Sequence, residues 1–295
     1  MSNRNVGLLF NIQKEDAVKK AERLRIWGGQ NGVRFMQPSL KATAMDLSGG
    51  CDKEWARTIE FAVVLGGDGT FLRAARYTFG QNIPLYGINL GRLGFLAAGS
   101  AESAIDDIKA ILDGKYTIQK RHTVKALQRR SGEIIYEMHA LNDMTISRGP
   151  LARIVDLEIR AGNDLLMHLT GDGLIVSSPT GSTAYSLSAG GPILPPHLPC
   201  LLLSPICPHS LYSRPIVLGM SDKIYILPKG DIDNIIVAQD GQIARRLEEG
   251  DVLEASLASD MFVNTILPEN RSYFDLLREK LSWGHSAIND RGRRT

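Results

Sequence analysis

Cysteine is scarce here. Three in 295 residues, an odd number, do not make a disulfide framework, and the thiols are expected to stay reduced in a cytosol. Charge of one sign is not in excess either. Lys+Arg 34 against Asp+Glu 32 leaves +2, which excludes the broad basic field that drives nonspecific nucleic-acid binding. No apolar run approaches the length of a membrane span. The opening MSNRNVGLLFNIQ holds one short apolar stretch and no small-residue cleavage site, so no secretory leader is expected and the setting is read as cytoplasmic. Internal repeats are absent, as are a Walker lysine loop and a GxGxxG fingerprint. What is present is ordinary: 43% hydrophobic and 22% charged residues, in a chain long enough for one large domain or two of usual size.

The first part alternates strand and helix signals. Val6–Phe10 reads as a short buried strand, followed by a charged amphipathic stretch from Lys14 to Trp27. A second apolar strand, Phe61–Leu65, runs straight into Gly66-Gly67-Asp68-Gly69-Thr70, with helical residues from Phe71 to Tyr77 and strand character again from Ile83 to Ile88. Ala104, Ile105, Ile108, Ile111 and Leu112 fall at helical spacing, with Ser100 as candidate N-cap and Gly114 as candidate stop. Strand, crossover helix and strand in that order imply a parallel sheet with helices on its faces.

Near residue 120 the texture changes. Ile154–Arg160 alternates with period two, and short strand candidates follow at Glu133–His139, Leu165–Leu169, Leu174–Ser178, Lys223–Leu227, Asn234–Gln239 and Val252–Ala258. The stretch Phe262–Trp283 is mixed, and the tail from Gly284 is expected to fray. The Pro-rich segment Gly191–Pro215 is expected to be the longest loop. The predicted fold is an α/β N-terminal domain, a parallel sheet with flanking helices, plus an all-β sandwich-like C-terminal domain. Its boundaries are placed at 1–120, completed by 263–295, and at 121–262.

Asp68 is the informative residue of the first Gly-rich loop. Glycines at a strand–helix junction let backbone approach a ligand, and the helix N-terminus offers N–H donors to an anion. A carboxylate beside such a cradle repels phosphate unless it holds a metal ion or takes a proton from an attacking hydroxyl. A plain βα turn with Asp68 as helix cap is the alternative. A second run, Gly87-Ile-Asn-Leu-Gly91-Arg-Leu-Gly94-Phe95, also follows a strand and could shape the same crevice from the neighbouring strand end, although alone a turn explains it better. Asn142-Asp143 pairs an amide with a carboxylate, suited to ribose hydroxyls or a base edge, although on its own an Asx-rich turn is the better reading. The longest signal is 171–192, where small and hydroxyl residues surround Tyr185 and Ser182 is placed as cap of a short helix. Gln239-Asp240-Gly241-Gln242 reads as a polar hairpin turn. His197, Cys200, Cys207 and His209 fit no common zinc spacing, and the prolines among them favour a loop. Arg129-Arg130 and the terminal Arg-Gly-Arg-Arg read as solvated faces.

Taken together, GGDGT at 66–70, NLGxLGF at 89–95, Asn142-Asp143 and DGLIVSSPTGSTAYSLSAGGPI at 172–193 resemble the bacterial NAD kinases. GGDGT alone is shared with lipid kinases of the diacylglycerol type; the run around Tyr185 is far more specific. The resemblance implies transfer of the γ-phosphoryl group of ATP to the adenosine-ribose 2′-hydroxyl of NAD, with a divalent cation, Mg²⁺, and a homodimer or homotetramer. By that resemblance Asp68 is the catalytic base and, with Gly69, touches NAD. Asn142, Asp143, Arg153, Thr170, Asp172, Gln242 and the run Thr183, Ala184, Tyr185, Ser186, Leu187, Ser188 are implied NAD contacts. The family often has Glu where this chain has Asp143. Two other readings, an alcohol kinase with an apolar acceptor and a dinucleotide sensor, fit less well. The candidate residues are polar, and a sensor needs no Asp68. Neither a nucleic acid nor a membrane partner is expected.

Overall fold

The computed structural model describes residues 4–38, 53–91, 94–149, 154–230, 235–269 and 272–283. They fall into two units, one running to Gln119 and resuming at Asn264, the other spanning Lys120–Val263.

The first unit is built from β1 (Arg4–Phe10), α1 (Glu15–Gln30), β2 (Val33–Met36), α2 (Lys53–Thr58), β3 (Phe61–Leu65), α3 (Asp68–Thr78), β4 (Leu85–Asn89), β5 (Gly99–Ser100) and α4 (Ala104–Leu112). Its strands run parallel in the order β2-β1-β3-β4, with Val6 beside Phe61 and Val63 beside Tyr86. β3 and β4 are buried at every position, as strands covered on both faces must be. Ala17, Ala21, Leu24 and Gly28 give α1 one buried stripe, and Glu15 and Asp16 lie at the positive end of its dipole. Val6, Leu8, Val63, Tyr86 and Ile88 form a core with Leu24 of α1 and Ile108 of α4.

Two helix starts differ from the sequence reading. α4 begins after Ser103, whose backbone is already helical; Ser100 instead accepts the Ser103 N–H at 3.2 Å and so holds the turn ahead of the helix. α3 begins at Asp68, three residues before Phe71, with Gly67 as its cap residue. Gly114, at φ +79°, follows the end of α4.

The second unit contains β6 (Tyr116–Arg130, entering from the first unit), β7 (Glu133–Ala140), β8 (Asp143–Arg148), β9 (Val155–Ala161), β10 (Asp164–Gly171) and β11 (Gly173–Ser177). A 3₁₀ turn (Thr180–Thr183) and α5 (Tyr185–Ser188) follow, then β12 (Cys200–Ile206), β13 (Ile216–Gly219), β14 (Ile224–Lys229), β15 (Ile235–Gln239), β16 (Ile243–Arg246) and β17 (Asp251–Pro268). One sheet runs antiparallel in the order β13-β12-β11-β8-β15-β16; the other joins β10-β9-β14-β17 to the β6–β7 pair. Alternating side chains of both, among them Met144, Ile146, Leu174, Val176, Leu157, Ile159 and Ile226, fill one sandwich core. The end of β17 returns to the first unit, where Thr265 pairs with Leu85 of β4 in parallel, and α6 (Tyr273–Leu281) follows behind a Ser272–Asp275 capping box.

The expected loop Gly191–Pro215 contains β12, a strand buried at all seven positions. Its flanking prolines drew attention from the apolar run Cys200–Ile206, which the two neighbouring strands bury. The strand expected at Val252–Ala258 runs on to Pro268. Arg129 and Arg130 are not a free solvated face: Arg129 bonds Glu254 at 2.7 Å and Arg130 bonds the buried Asp251 at 2.8 Å. The terminal Arg-Gly-Arg-Arg lies outside the described residues. Among the described residues no helix is long and apolar enough to cross a membrane.

Candidate functional site

At the carboxyl end of β3 the chain turns through Gly66 and Gly67, and the Gly66 N–H donates to the Ile88 carbonyl of β4 at 2.9 Å. Asp68 therefore stands in the first turn of α3. Its carboxylate is held from a distant part of the chain: the Phe95 N–H donates to one oxygen at 3.0 Å and the Leu96 N–H to the other at 3.1 Å. A side chain at Gly94 would collide with that carboxylate, so only glycine lets the backbone come this close. The two Gly-rich runs meet around Asp68. Gly69 is exposed beside it. A cleft of about 460 Å³ lined by Lys14, Gly66, Gly67, Asn89 and Gly91 opens at the ends of these strands, where ligands of open parallel sheets sit.

In the second unit, Asn142 and Asp143 form the corner between β7 and β8. The Ser178 hydroxyl donates to the Leu141 carbonyl at 2.6 Å, and the Ser178 N–H to the Asn142 carbonyl at 2.8 Å. Ser178 also accepts the Gly181 N–H at 3.2 Å, and a Cβ on Gly181 would strike the Asn142 carbonyl. Gly181, two residues before the run Thr183–Ser188, thus packs directly against the Asn142 carbonyl. Within that run Ser186 is buried on Ser204 at 2.7 Å, Thr183 donates to the Thr180 carbonyl at 3.2 Å, and Tyr185 is 47% exposed. Ala184 and Leu187 are half-buried and Ser188 is exposed. Ser182 does not cap α5. Its hydroxyl donates to the Pro179 carbonyl at 2.6 Å and accepts the Leu194 N–H at 2.9 Å, pinning the loop that follows. The hairpin turn Gln239–Gln242 closes over the same corner, its Asp240 N–H donating to the Asp143 carbonyl at 2.9 Å, while the Gln242 N–H closes the turn on the Gln239 carbonyl at 2.9 Å.

Asp143 is 5% exposed, accepts the Thr145 hydroxyl at 3.2 Å, and has a pKa pushed up to about 7. Burial is the main cause and the Asp240 carboxylate the second, while Thr145 pulls the other way. A carboxyl displaced this far in a polar corner is a mark of functional sites.

Thr170 and Asp172 are not brought to that corner. Asp172 precedes the far end of β11, where it pairs with Arg148 at 3.3 Å, and five residues of strand put it about 16 Å from Asp143; Thr170 lies on β10, paired with Asp156. Arg153 lies outside the described residues. Asp68 and Gly69 belong to the first unit, the other candidates to the second.

Comparison with known proteins matches residues 6–116 to the ATP-NAD kinase N-terminal domain and residues 141–265 to the ATP-NAD kinase C-terminal domain. NAD kinase of Geobacter metallireducens is 40% identical over 95% of this chain and 99% of its own. That of Syntrophotalea carbinolica is 35% identical with the same coverage. The chain belongs to the NAD kinase family. Yeast NADH kinase, in a crystal structure complexed with NADH, shares the fold with a TM-score of 0.82 at 24% identity, covering 97% of this chain and 89% of that one. An NAD kinase from Archaeoglobus fulgidus, in complex with ATP, gives 0.72 at 25% identity, covering 94% and 98%.

As a member of the NAD kinase family the chain is a phosphotransferase. Three groups around its candidate residues escaped the sequence reading: the Phe95 and Leu96 amides, Gly94 as the gap that admits them, and the Asp240 carboxylate. Gly94 in NLGxLGF and Asp240 in the polar turn 239–242 carried a visible signal, but neither pointed to the partner it meets. Among the described residues no three His, Cys, Asp or Glu side chains gather into a metal cage. Mg²⁺ needs none, because it keeps waters and takes one or two carboxylates together with substrate phosphates. Carboxylates of that kind stand at the cleft, on Glu15 and Asp16, and at the loop, on Asp68.

Proposed function

We propose that this chain transfers the γ-phosphoryl group of ATP to the adenosine-ribose 2′-hydroxyl of NAD, giving NADP and ADP. The observation that carries the reading is Asp68, a carboxylate at the turn of a phosphate-type loop, each oxygen anchored by one backbone amide. So held, it is aimed rather than free to swing, and its remaining lone pairs can accept the proton of an attacking hydroxyl. Gly69 lets the ribose approach. Asn142 and Asp143 bind hydroxyls of NAD, the Tyr185 ring packs on the base, and Thr183, Ala184, Ser186, Leu187, Ser188 and Gln242 complete that wall. Arg153, Thr170 and Asp172 are further NAD contacts by resemblance. A divalent cation, Mg²⁺, would neutralise the phosphates of ATP, and Glu15 or Asp16 at the cleft would hold it together with those phosphates. The enzyme works in the cytoplasm as a homodimer or homotetramer.

The test is an assay with ATP, Mg²⁺ and NAD, scored for NADP. Absence of NADP across several metals and phosphoryl donors would remove this reading.

A further inference from the structure

The turn at Gln239–Gln242 carries a buried carboxylate to which no substrate contact is assigned. Asp240 is 8% exposed and stands at φ +50°, left-handed backbone that Asp and Asn tolerate better than most residues. From there its side chain folds back onto the corner between β7 and β8. One oxygen accepts the Leu141 N–H at 3.1 Å; the other accepts those of Asn142 at 2.7 Å and Asp143 at 3.3 Å. Three successive amides converging on one anion make a nest, here filled by the protein's own carboxylate. Leu141 and Asp143 are buried, so without Asp240 their N–H groups would lack that acceptor and the corner would turn to find another. The carbonyls of the same corner are gripped on the opposite edge by Ser178. The backbone that projects the Asn142 and Asp143 side chains is thereby fixed by Asp240 through its amides and by Ser178 through its carbonyls.

We infer that Asp240 is a positioning residue of the substrate site, setting the direction of Asn142 and Asp143 without itself touching the dinucleotide. The inference rests on the reading that Asn142 and Asp143 bind NAD. It assigns Asp240, 98 residues away in the chain, to the affinity for NAD rather than to the phosphoryl-transfer step.

The decisive variant is Asp240→Asn. It keeps size and suits the same backbone angle, yet offers one acceptor oxygen to three donors and turns an NH₂ toward the rest. KM for NAD should rise about tenfold, the loss of a charge-assisted contact acting on aim, while kcat and KM for ATP stay within about twofold. A role confined to holding the fold would instead lower the unfolding midpoint and the active fraction, seen as a lower kcat with KM for NAD unchanged, and that result overturns the inference. Asn142→Ala and Asp143→Asn are measured alongside. If both raise KM for NAD while Asp240→Asn does not, positioning fails and the binding reading stands. If none of the three moves it, the binding reading fails and takes the inference with it. Should Asp240→Asn not fold, amide exchange in the wild-type protein decides. Protection of the 141–143 amides equal to that within β8 supports the nest, and exchange as fast as an exposed loop overturns it.

Discussion

Asp68 combines two demands that usually conflict: it must be fixed in direction and still have lone pairs to offer. One amide on each oxygen meets both. Asp68→Asn replaces one acceptor with an NH₂ that opposes an N–H, and it removes the charge and the basicity. General-base contributions run to about 10²–10⁴-fold, so kcat for NADP formation should fall by that order while NAD still binds. Partial rescue by added Mg²⁺ would reassign Asp68 from base to metal ligand. Asp143 gives a prediction in pH. Its carboxyl, ordinarily near 3.8, sits at about 7 in the fold, chiefly through burial. Between those values the folded protein holds more protons than the unfolded chain, so stability falls as pH rises through that window. Asp143→Asn removes the titration and should gain on wild type between pH 5 and pH 8. At about 1.4 kcal/mol per pKa unit the gain is a few kcal/mol at most. Urea midpoints at the two pH values measure it, and an equal difference at both would show Asp143 already ionised in the fold at pH 5. Both residues were legible as candidates in the sequence. Their surroundings were not, because Phe95, Leu96 and Asp240 are not sequence neighbours.

At the scale of elements, the segment from β11 to β12 shows what a run of small hydroxyl residues does. Ser177, Ser178, Ser182 and Ser186 are buried, and each spends its hydroxyl on backbone or on another serine, so the run is a hydrogen-bonded scaffold. Ser182→Ala removes the hydroxyl that accepts the Leu194 N–H and donates to the Pro179 carbonyl, and should cost about 1–3 kcal/mol. That is a fall of several degrees in the unfolding midpoint by differential scanning calorimetry. An unchanged midpoint would show that a water replaces the hydroxyl. Period-two alternation exposed β9 to the reader, and turn signals exposed the hairpin at Asp240-Gly241, where both residues stand at positive φ. β12 was hidden because a strand buried on both faces has no alternation and its prolines resemble a loop.

On the scale of the whole chain, Asp68 belongs to the first unit and the Asn142-Asp143 corner to the second, so the two can be perturbed separately. A ligand that binds only the folded protein at a hundred times its Kd adds about 2.7 kcal/mol of stability. Saturating NAD should therefore raise the unfolding midpoint of wild type and of Asp68→Asn alike, and lose most of that effect on Asn142→Ala. Loss of the shift on Asp68→Asn as well would place NAD affinity on the first unit.

Sequence alone determined the alternation of apolar strands with amphipathic helices before residue 120, the short punctuated strands after it, and the Gly-rich and hydroxyl-rich runs. Those signals are local: side-chain period, glycine at a strand end and a cap residue act within a few positions. Only the tertiary structure decided which amides meet which carboxylates. Asp68 is bound by residues 27 and 28 positions away, and Asp240 by residues 97 to 99 positions away. Backbone N–H groups are the same at every residue but proline and carry no sequence signature of their own. Which of them converge on an anion is fixed by where the sheets return the chain.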